Sequence, residues 1–313
     1  MSGANGNGSN GNGSNGNGHG NGNGHVSAAA ALGPFPDARI LLDKYGLRAK
    51  KSFGQNFLVS DRAVRAIADA TVSTDEDWIV EIGAGLGTLT AQIVERVTAG
   101  KVIALEADPD MVRVLRAELG TVENLEIHQV DAMRFDLRAE ASLRKIIVCG
   151  NLPYHLASQL MFRVIDVRDR VQHAVFMIQK EMADRVVAKP ATSDYGALGV
   201  MIRTYVDVST VIKVGAGSFL PPPKIDSTVI KMIPLAQPRA PIADEAHYSK
   251  VVHAAFGQRR KTLRNALRAQ FDDGPVDAAL AKTGIDGQRR GETLDIPEFA
   301  ALANALEPGA GAA

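Results

Sequence analysis

The chain has 313 residues, 45% of them hydrophobic, with 35 Lys+Arg balanced by 35 Asp+Glu to a formal charge of zero, and one cysteine. That is enough apolar material for one large or two modest domains. It excludes a globally basic nucleic-acid binder and an internal disulfide framework, and with no apolar run near ~18 residues it excludes spanning a membrane by helices. The lone Cys149 favours a reducing compartment. No basic-then-apolar leader opens the chain, so a cytoplasmic monomer is the expectation.

Residues 1–25 are nearly all Gly, Asn and Ser, with His19 and His25. Such a tract has nothing to bury, and with the small-residue linker through Pro36 it is expected to be a disordered tail over 1–36. Metal binding by its two histidines is an alternative, but a solvated tail is the plainer reading. Asp37 through Gly46 reads as a short helix stopped by the glycine. A basic, amide-rich stretch from Ala49 to Leu58 follows. A helix from Asp61 to Thr71 then carries Val64, Ile67 and Ala68 on one face.

From Trp78 to about Gln179 strands and helices alternate, which implies a parallel, doubly wound sheet. The first strand runs into Glu81-Ile82-Gly83-Ala84-Gly85-Leu86-Gly87, a glycine-rich turn before a helix. Glycines there let backbone approach a ligand, and helix-start amides face it. The spacing is not the Gly-x-Gly-x-x-Gly of dinucleotide sites, and a glycine loop alone is weak evidence. The second strand, Lys101 to Leu105, ends in Glu106, placed about 20 positions on, where an acid can take ribose hydroxyls. The third, Leu125 to Val130, ends in Asp131-Ala132-Met133: an acceptor for an adenine amine, with Ala132 and Met133 beside the ring. The fourth, Lys145 to Gly150, ends in Asn151-Leu152-Pro153-Tyr154. Asn supplies an acceptor and donors, Pro stiffens the backbone, and Tyr offers a flat face for a base. These are the parts needed to hold an adenine amine, although an ordinary strand-to-helix turn is the plain alternative. A ligand with ribose and adenine but no pyrophosphate is S-adenosylmethionine, the cofactor expected here.

The fifth strand is Ala174 to Ile178, and the segments Val206–Val214 and Thr228–Ile233 are expected to pair antiparallel and complete a seven-stranded sheet. Gln237 to Pro241 marks a boundary, which gives a catalytic domain over 37–237, a helical domain over 238–306 and a flexible end over 307–313. Within the helical part, Phe256 to Arg268 holds five cations and no acid. A solvated face is the usual meaning of such a run. Its density favours an RNA phosphate surface: Arg259, Arg260 and Lys261 at a helix start, with Arg260, Arg264 and Arg268 at four-residue spacing on one face. Arg289-Arg290 extends it, and Lys50 and Lys51 form a second patch.

These motifs together resemble those of the small-subunit ribosomal RNA adenine dimethyltransferases, the family of the kasugamycin-sensitivity enzyme and the eukaryotic dimethyladenosine transferases. The resemblance runs from Lys51 to the C-terminus: Phe53-Gly54-Gln55-Asn56-Phe57-Leu58, Glu81 to Gly87, Gly150 to Tyr154, Gln179-Lys180-Glu181, Tyr195-Gly196, Phe219 to Ser227, Phe256 to Asn265 and Arg290 to Leu294. Ala84 stands where the family usually has Pro, and His155 where it has a smaller or amide residue. The resemblance implies a Rossmann-like class I methyltransferase domain with a small all-α C-terminal domain. It implies transfer of two methyls to each of two adjacent adenines in the 3′-terminal hairpin loop of 16S rRNA, within the small subunit or its precursor. It places Asn56 and Leu58 near the methionine end with Gln55 beside them, Gly83 and Gly85 against the sugar and methionine, and Ala107 next to Glu106. It also puts Phe219 on the second face of the target base, opposite Tyr154, with a core aromatic as the plain alternative for Phe219 and a capped loop for Gln55 and Asn56.

In the expected chemistry the Asn151 oxygen and the Leu152 or Pro153 carbonyl accept the two N–H bonds of the amine and aim its lone pair. No metal and no dedicated base are needed. Competing readings are a large-subunit enzyme of the macrolide-resistance type, a DNA adenine methyltransferase, a non-catalytic assembly factor and a nicotinamide dehydrogenase. The Gln258-to-Asn265 run and the Pro-rich loop argue against the first, and the glycine spacing argues against the last.

Overall fold

The computed structural model describes Met1 and residues 35–50, 53–258 and 260–306. Most of the expected tail and linker over 1–36, together with Lys51, Arg259 and the expected flexible end over 307–313, lie outside the described residues. Helix α1 (Ala38–Tyr45) starts where Asp37 accepts the Arg39 amide at 2.7 Å and stops where Gly46 turns left-handed at φ 64°. After the two-residue strand β1 (Phe57–Leu58), helix α2 (Asp61–Thr71) is capped by Ser60 and buries Ala63, Val64, Ile67, Ala68 and Thr71, the spacing of a single face.

The alternation then proceeds as β2 (Trp78–Ile82), α3 (Thr88–Val94), β3 (Lys101–Glu106), α4 (Pro109–Leu119), β4 (Leu125–Gln129), α5 (Leu137–Glu140), β5 (Ile146–Asn151), α6 (Ala157–Asp166), β6 (Val171–Gln179), α7 (Lys180–Val187), α8 (Ala197–Tyr205), β7 (Val206–Val214), β8 (Phe219–Leu220) and β9 (Ser227–Pro234). Among the described residues the main sheet has seven strands in the order β4-β3-β2-β5-β6-β9-β7. The pairings from β4 to β6 are parallel, and β9 runs antiparallel to both β6 and β7. The chain winds outward from β2 to β4 and returns to β5 on the other side of β2. A crevice therefore opens at the carboxyl ends of β2 and β5, where open α/β sheets take ligands. The register Ile82↔Gly150 sets the glycine loop beside Asn151. A Cβ on Gly150 would lie 2.3 Å from the Ile82 carbonyl oxygen, so only glycine permits this approach.

Alternate residues of each strand face opposite cores. Val80, Ile82, Ile103, Leu105, Val148 and Phe176 face α6 and α8, while Ile79, Val102, Ala104, Ile147, Cys149 and Met177 face α2 and α3. The first of these cores continues without a break into the C-terminal helices α9 (Glu245–Gly257), α10 (Leu263–Leu267), α11 (Asp273–Thr283) and α12 (Ile296–Ala305), through Tyr248, Leu267, Leu280 and Phe299. Polar ties reinforce the junction. The Tyr195 hydroxyl donates to the Leu294 carbonyl at 2.8 Å, the Tyr248 and Thr204 hydroxyls lie 2.9 Å apart, and Arg168 donates to Glu245 at 2.6 Å. No helix among the described residues is long and apolar enough to cross a membrane.

One pairing was not legible in the sequence: β1 and β8 form a two-stranded antiparallel sheet, Phe57↔Leu220 and Leu58↔Phe219. It changes the reading of Phe219. The expected exposed aromatic of a Pro-rich loop is 3% exposed, packed with Leu58, Met177 and Val229 in the α2-side core. Phe219 is therefore a core residue beneath the site, and the structure does not present it as the second stacking face.

Candidate active site

The crevice holds a cleft of about 330 Å3, within the small-molecule range. Its lining brings together Gln55, Asn56 and Leu58 from the segment after α1, Gly83 and Gly85 from the loop after β2, and Glu106 and Ala107 from the end of β3. Asp131 and Ala132 follow β4, and Asn151, Leu152, Pro153 and Tyr154 end β5. All thirteen were expected from the sequence or the resemblance, and Phe219 and Met133 are expected residues that do not line it. Among the described lining residues there is no Lys or Arg to neutralise a pyrophosphate.

The electrostatics are set by carboxylates. Glu106 is 8% exposed; one oxygen accepts the Gly85 amide and the other the Asp108 amide, each at 2.8 Å. Gly85 adopts φ 57°, which lets its N–H turn to that acid. Burial raises the Glu106 pKa, and the amide bonds oppose the rise. Asp131 is exposed, and one of its oxygens accepts the Met133 amide at 2.9 Å.

Glu81, at the start of the glycine-loop motif, also lines the cleft, although its motif position alone assigns it no role. It is 2% exposed, accepts the Thr90 hydroxyl at 2.6 Å, and is pushed by burial to a pKa of about 8. The Thr90 bond opposes this shift, and the charge of nearby Glu106 adds to it. The signal available was an acid inside an otherwise apolar strand. Phe53 and His155 also line the cleft, and both are exposed.

Asn151 is held from the opposite wall. Its Nδ2 donates to the Asn56 carbonyl at 3.3 Å, and Asn56 donates from its own side chain to the Gly54 carbonyl at 3.1 Å. With its nitrogen occupied, Asn151 keeps its side-chain oxygen as the free acceptor. The Leu152 amide donates to Met177 at 3.1 Å, and the Pro153 carbonyl accepts the Leu156 amide at 2.9 Å in the turn entering α6. Among the described residues no backbone amide is bonded to the Leu152 carbonyl. The site therefore offers an amide oxygen and a main-chain carbonyl next to each other, followed by a half-buried tyrosine ring.

The cationic surface differs from expectation. Helix α10 begins only at Leu263, capped by Thr262, so Arg260 precedes it and does not share one helical face with Arg264 and Arg268. Arg264 Nε lies 3.2 Å and Arg268 Nη2 2.6 Å from the two oxygens of Asp277 on α11, and Arg268 also reaches Asp273 at 3.4 Å. Those two arginines tie α10 to α11 and form no open ridge. Arg289 binds Glu298 of the α12 capping box and the Thr293 carbonyl, so it too is structural. Lys50 is paired with Asp108 at 2.8 Å and with Asp110 at 2.6 Å. Of the expected phosphate contacts within the described residues, Arg260, Lys261 and Arg290 are exposed.

Residues 46–307 match the family described as ribosomal RNA adenine dimethylase. A curated relative from Anaeromyxobacter sp. (strain K), named ribosomal RNA small subunit methyltransferase A, is 43% identical over 285 residues, covering 87% of this chain and 98% of the relative. Among solved structures, a dimethyladenosine transferase from Plasmodium falciparum matches with a TM-score of 0.64 at 26% identity, covering 79% of this chain and 95% of that one. The 23S rRNA methyltransferase ErmE matches with a TM-score of 0.62 at 24% identity, covering 80% of this chain and 99% of that one, a likeness of fold.

Proposed function

The chain belongs to the ribosomal RNA adenine dimethylase family, enzymes that use S-adenosylmethionine, and on that premise we propose that it dimethylates the N6 amines of two adjacent adenosines in the 3′-terminal hairpin loop of small-subunit (16S) rRNA. The substrate in this reading is the small subunit or its precursor, met in the cytoplasm by a monomeric enzyme, and the modification serves subunit biogenesis. The small-subunit name carried by the relative at 43% identity supports this target over large-subunit RNA.

The cleft fits the cofactor. Glu106 suits its ribose hydroxyls and Asp131 its adenine amine, with Ala107 and Ala132 alongside; Gly83 and Gly85 permit close approach, and Asn56 and Leu58 face the methionine end. Bound there, the cofactor supplies a methyl group on a positively charged sulfur. The protein's part is alignment. The N6 lone pair of adenine is delocalised into the ring, and accepting its two N–H bonds localises the pair toward the methyl carbon. The anchored Asn151 carries this reading, because its free oxygen is the first acceptor and the adjoining Leu152 carbonyl is the second. Tyr154 stacks on the base, which must leave its loop to enter, at about a few kcal/mol of unstacking. The product ammonium passes its proton to water.

The test is methyl incorporation into separated ribosomal subunits, with mass analysis of the 3′ end of the small-subunit RNA. Four methyls on that fragment are expected from the native chain and none from Asn151→Ala, which still binds the subunit. Methylation of the large subunit instead would make this a macrolide-resistance type of enzyme.

A further inference from the structure

A buried acid that belongs to neither the glycine loop nor the Asn151 turn connects both walls of the cleft. Asp108 caps α4, and its side chain is fully buried. Its amide donates to Glu106 at 2.8 Å. One of its oxygens takes Lys50 Nζ at 2.8 Å and the Asp110 amide at 3.0 Å, and the other takes Gln55 Nε2 at 2.8 Å. Gln55 in turn accepts the Lys50 amide at 2.8 Å, which closes a ring of bonds around the start of the cleft-lining segment. The next residue along, Asn56, supplies the carbonyl that holds Asn151.

The sequence suggested that Gln55 touches the cofactor and Lys50 the RNA. In the structure Lys50 Nζ is shared by Asp108 and Asp110, and Gln55 Nε2 donates to Asp108.

We propose that Asp108 is a positioning residue of the cofactor site: through its side chain it holds Lys50 and, by way of Gln55, residues 53–58 as one wall, and through its amide it meets Glu106 on the other. The inference rests on the reading of the cleft as the S-adenosylmethionine site. Losing the Asp108 charge frees the segment and lets Asn56 drift from Asn151, while the backbone amide on Glu106 stays, so the loss falls on the Lys50–Gln55 side of the cleft. Replacing this carboxylate, which has a partner on each oxygen, leaves Gln55 Nε2 without its acceptor and Lys50 with Asp110 alone.

The test is direct binding of S-adenosylhomocysteine by calorimetry to the full chain, with no RNA present. For Asp108→Asn we expect Kd to rise on the order of tenfold, the scale of one charge-assisted hydrogen bond. Lys50→Met, at a half-exposed position that folding tolerates, should reproduce the rise, and Lys50→Arg should restore tight binding. The double variant should bind no worse than either single one, because both remove the same link. Limited proteolysis should cut within residues 46–58 in the variants at ligand concentrations that protect the native chain. Native Kd in both Asp108→Asn and Lys50→Met would overturn the proposal, and if Asp108→Asn does not fold, Lys50→Met alone decides it. A native protein that binds the ligand tightly yet modifies no rRNA would overturn the assigned substrate and leave this inference standing.

Discussion

The carboxylate of Glu106 accepts the amide of Gly85 at 2.8 Å, so the acid that ends one strand also pins the glycine loop that follows its neighbour. Loop geometry and the ribose contact proposed for the cofactor thus share one side chain. Glu106→Ala should weaken S-adenosylmethionine binding by about tenfold or more, since a charge-assisted bond and the loop restraint are lost together. Glu106→Gln should fall between, because its carbonyl oxygen can still accept from Gly85. Titration calorimetry on the purified variants checks both.

Gly150→Ala tests the close approach of β2 and β5. The added methyl would lie 2.3 Å from the Ile82 carbonyl oxygen, and backbone must move to admit it. Overpacking of this kind costs about 1–3 kcal/mol. The expected result is a lower urea midpoint with an unchanged slope, together with loss of methyl transfer, because Asn151 follows directly.

Stability should fall as pH rises between about 4.3, the ordinary glutamate value, and about 8, the value burial gives Glu81. Across that window the native chain keeps a proton on Glu81 that the unfolded chain has released. The unfolded state binds fewer protons, and the free energy of unfolding declines with pH by at most about 1.4 kcal/mol per unit from this group. Below the lower limit both states hold the proton, and above the upper limit both have lost it, so the contribution levels off. Glu81→Gln should remove this slope and gain relative to the native chain as pH approaches 8. Urea denaturation at several pH values reads it.

Arg260→Ala with Lys261→Ala should weaken RNA binding and reduce the salt slope by about 0.7 per lost single-strand phosphate contact, with an unchanged melting temperature. Arg268→Ala should do the reverse. It unpairs Asp273 and leaves Asp277 with Arg264 alone at a partly exposed site, costing up to about 1 kcal/mol, and alters the salt slope little. Filter binding across a salt series, alongside thermal melts, separates the two.

The contrast between those variants marks where the sequence stopped being legible. Features encoded within a few residues could be read: the apolar runs of β2 to β6, the Gly46 stop, the glycine loop, and Asn151 to Tyr154 at a strand end. Features made by distant partners could not. Arg264 and Arg268 looked like a free ridge because Asp277, a helix away, gives no local sign of turning to meet them. Phe219 looked exposed because prolines follow it; a two-residue strand has no periodicity to announce its pairing with Leu58. Lys50 and Gln55 looked like ligand contacts until Asp108, more than fifty positions on, accounted for both. The cleft residues that follow β2 to β5 were reachable because topology gathers strand ends at one edge, whereas Gln55, Asn56, Leu58 and Ala107 were placed by the family resemblance.

The unbroken core from the sheet through Tyr248 and Phe299 into the last four helices has a mechanical corollary. On the proposed function, with the base at Tyr154 and phosphates at Arg260 and Lys261, a core that packs the sheet and the last helices together leaves the bending to the nucleic acid: a hairpin of the wrong girth meets one contact and misses the other.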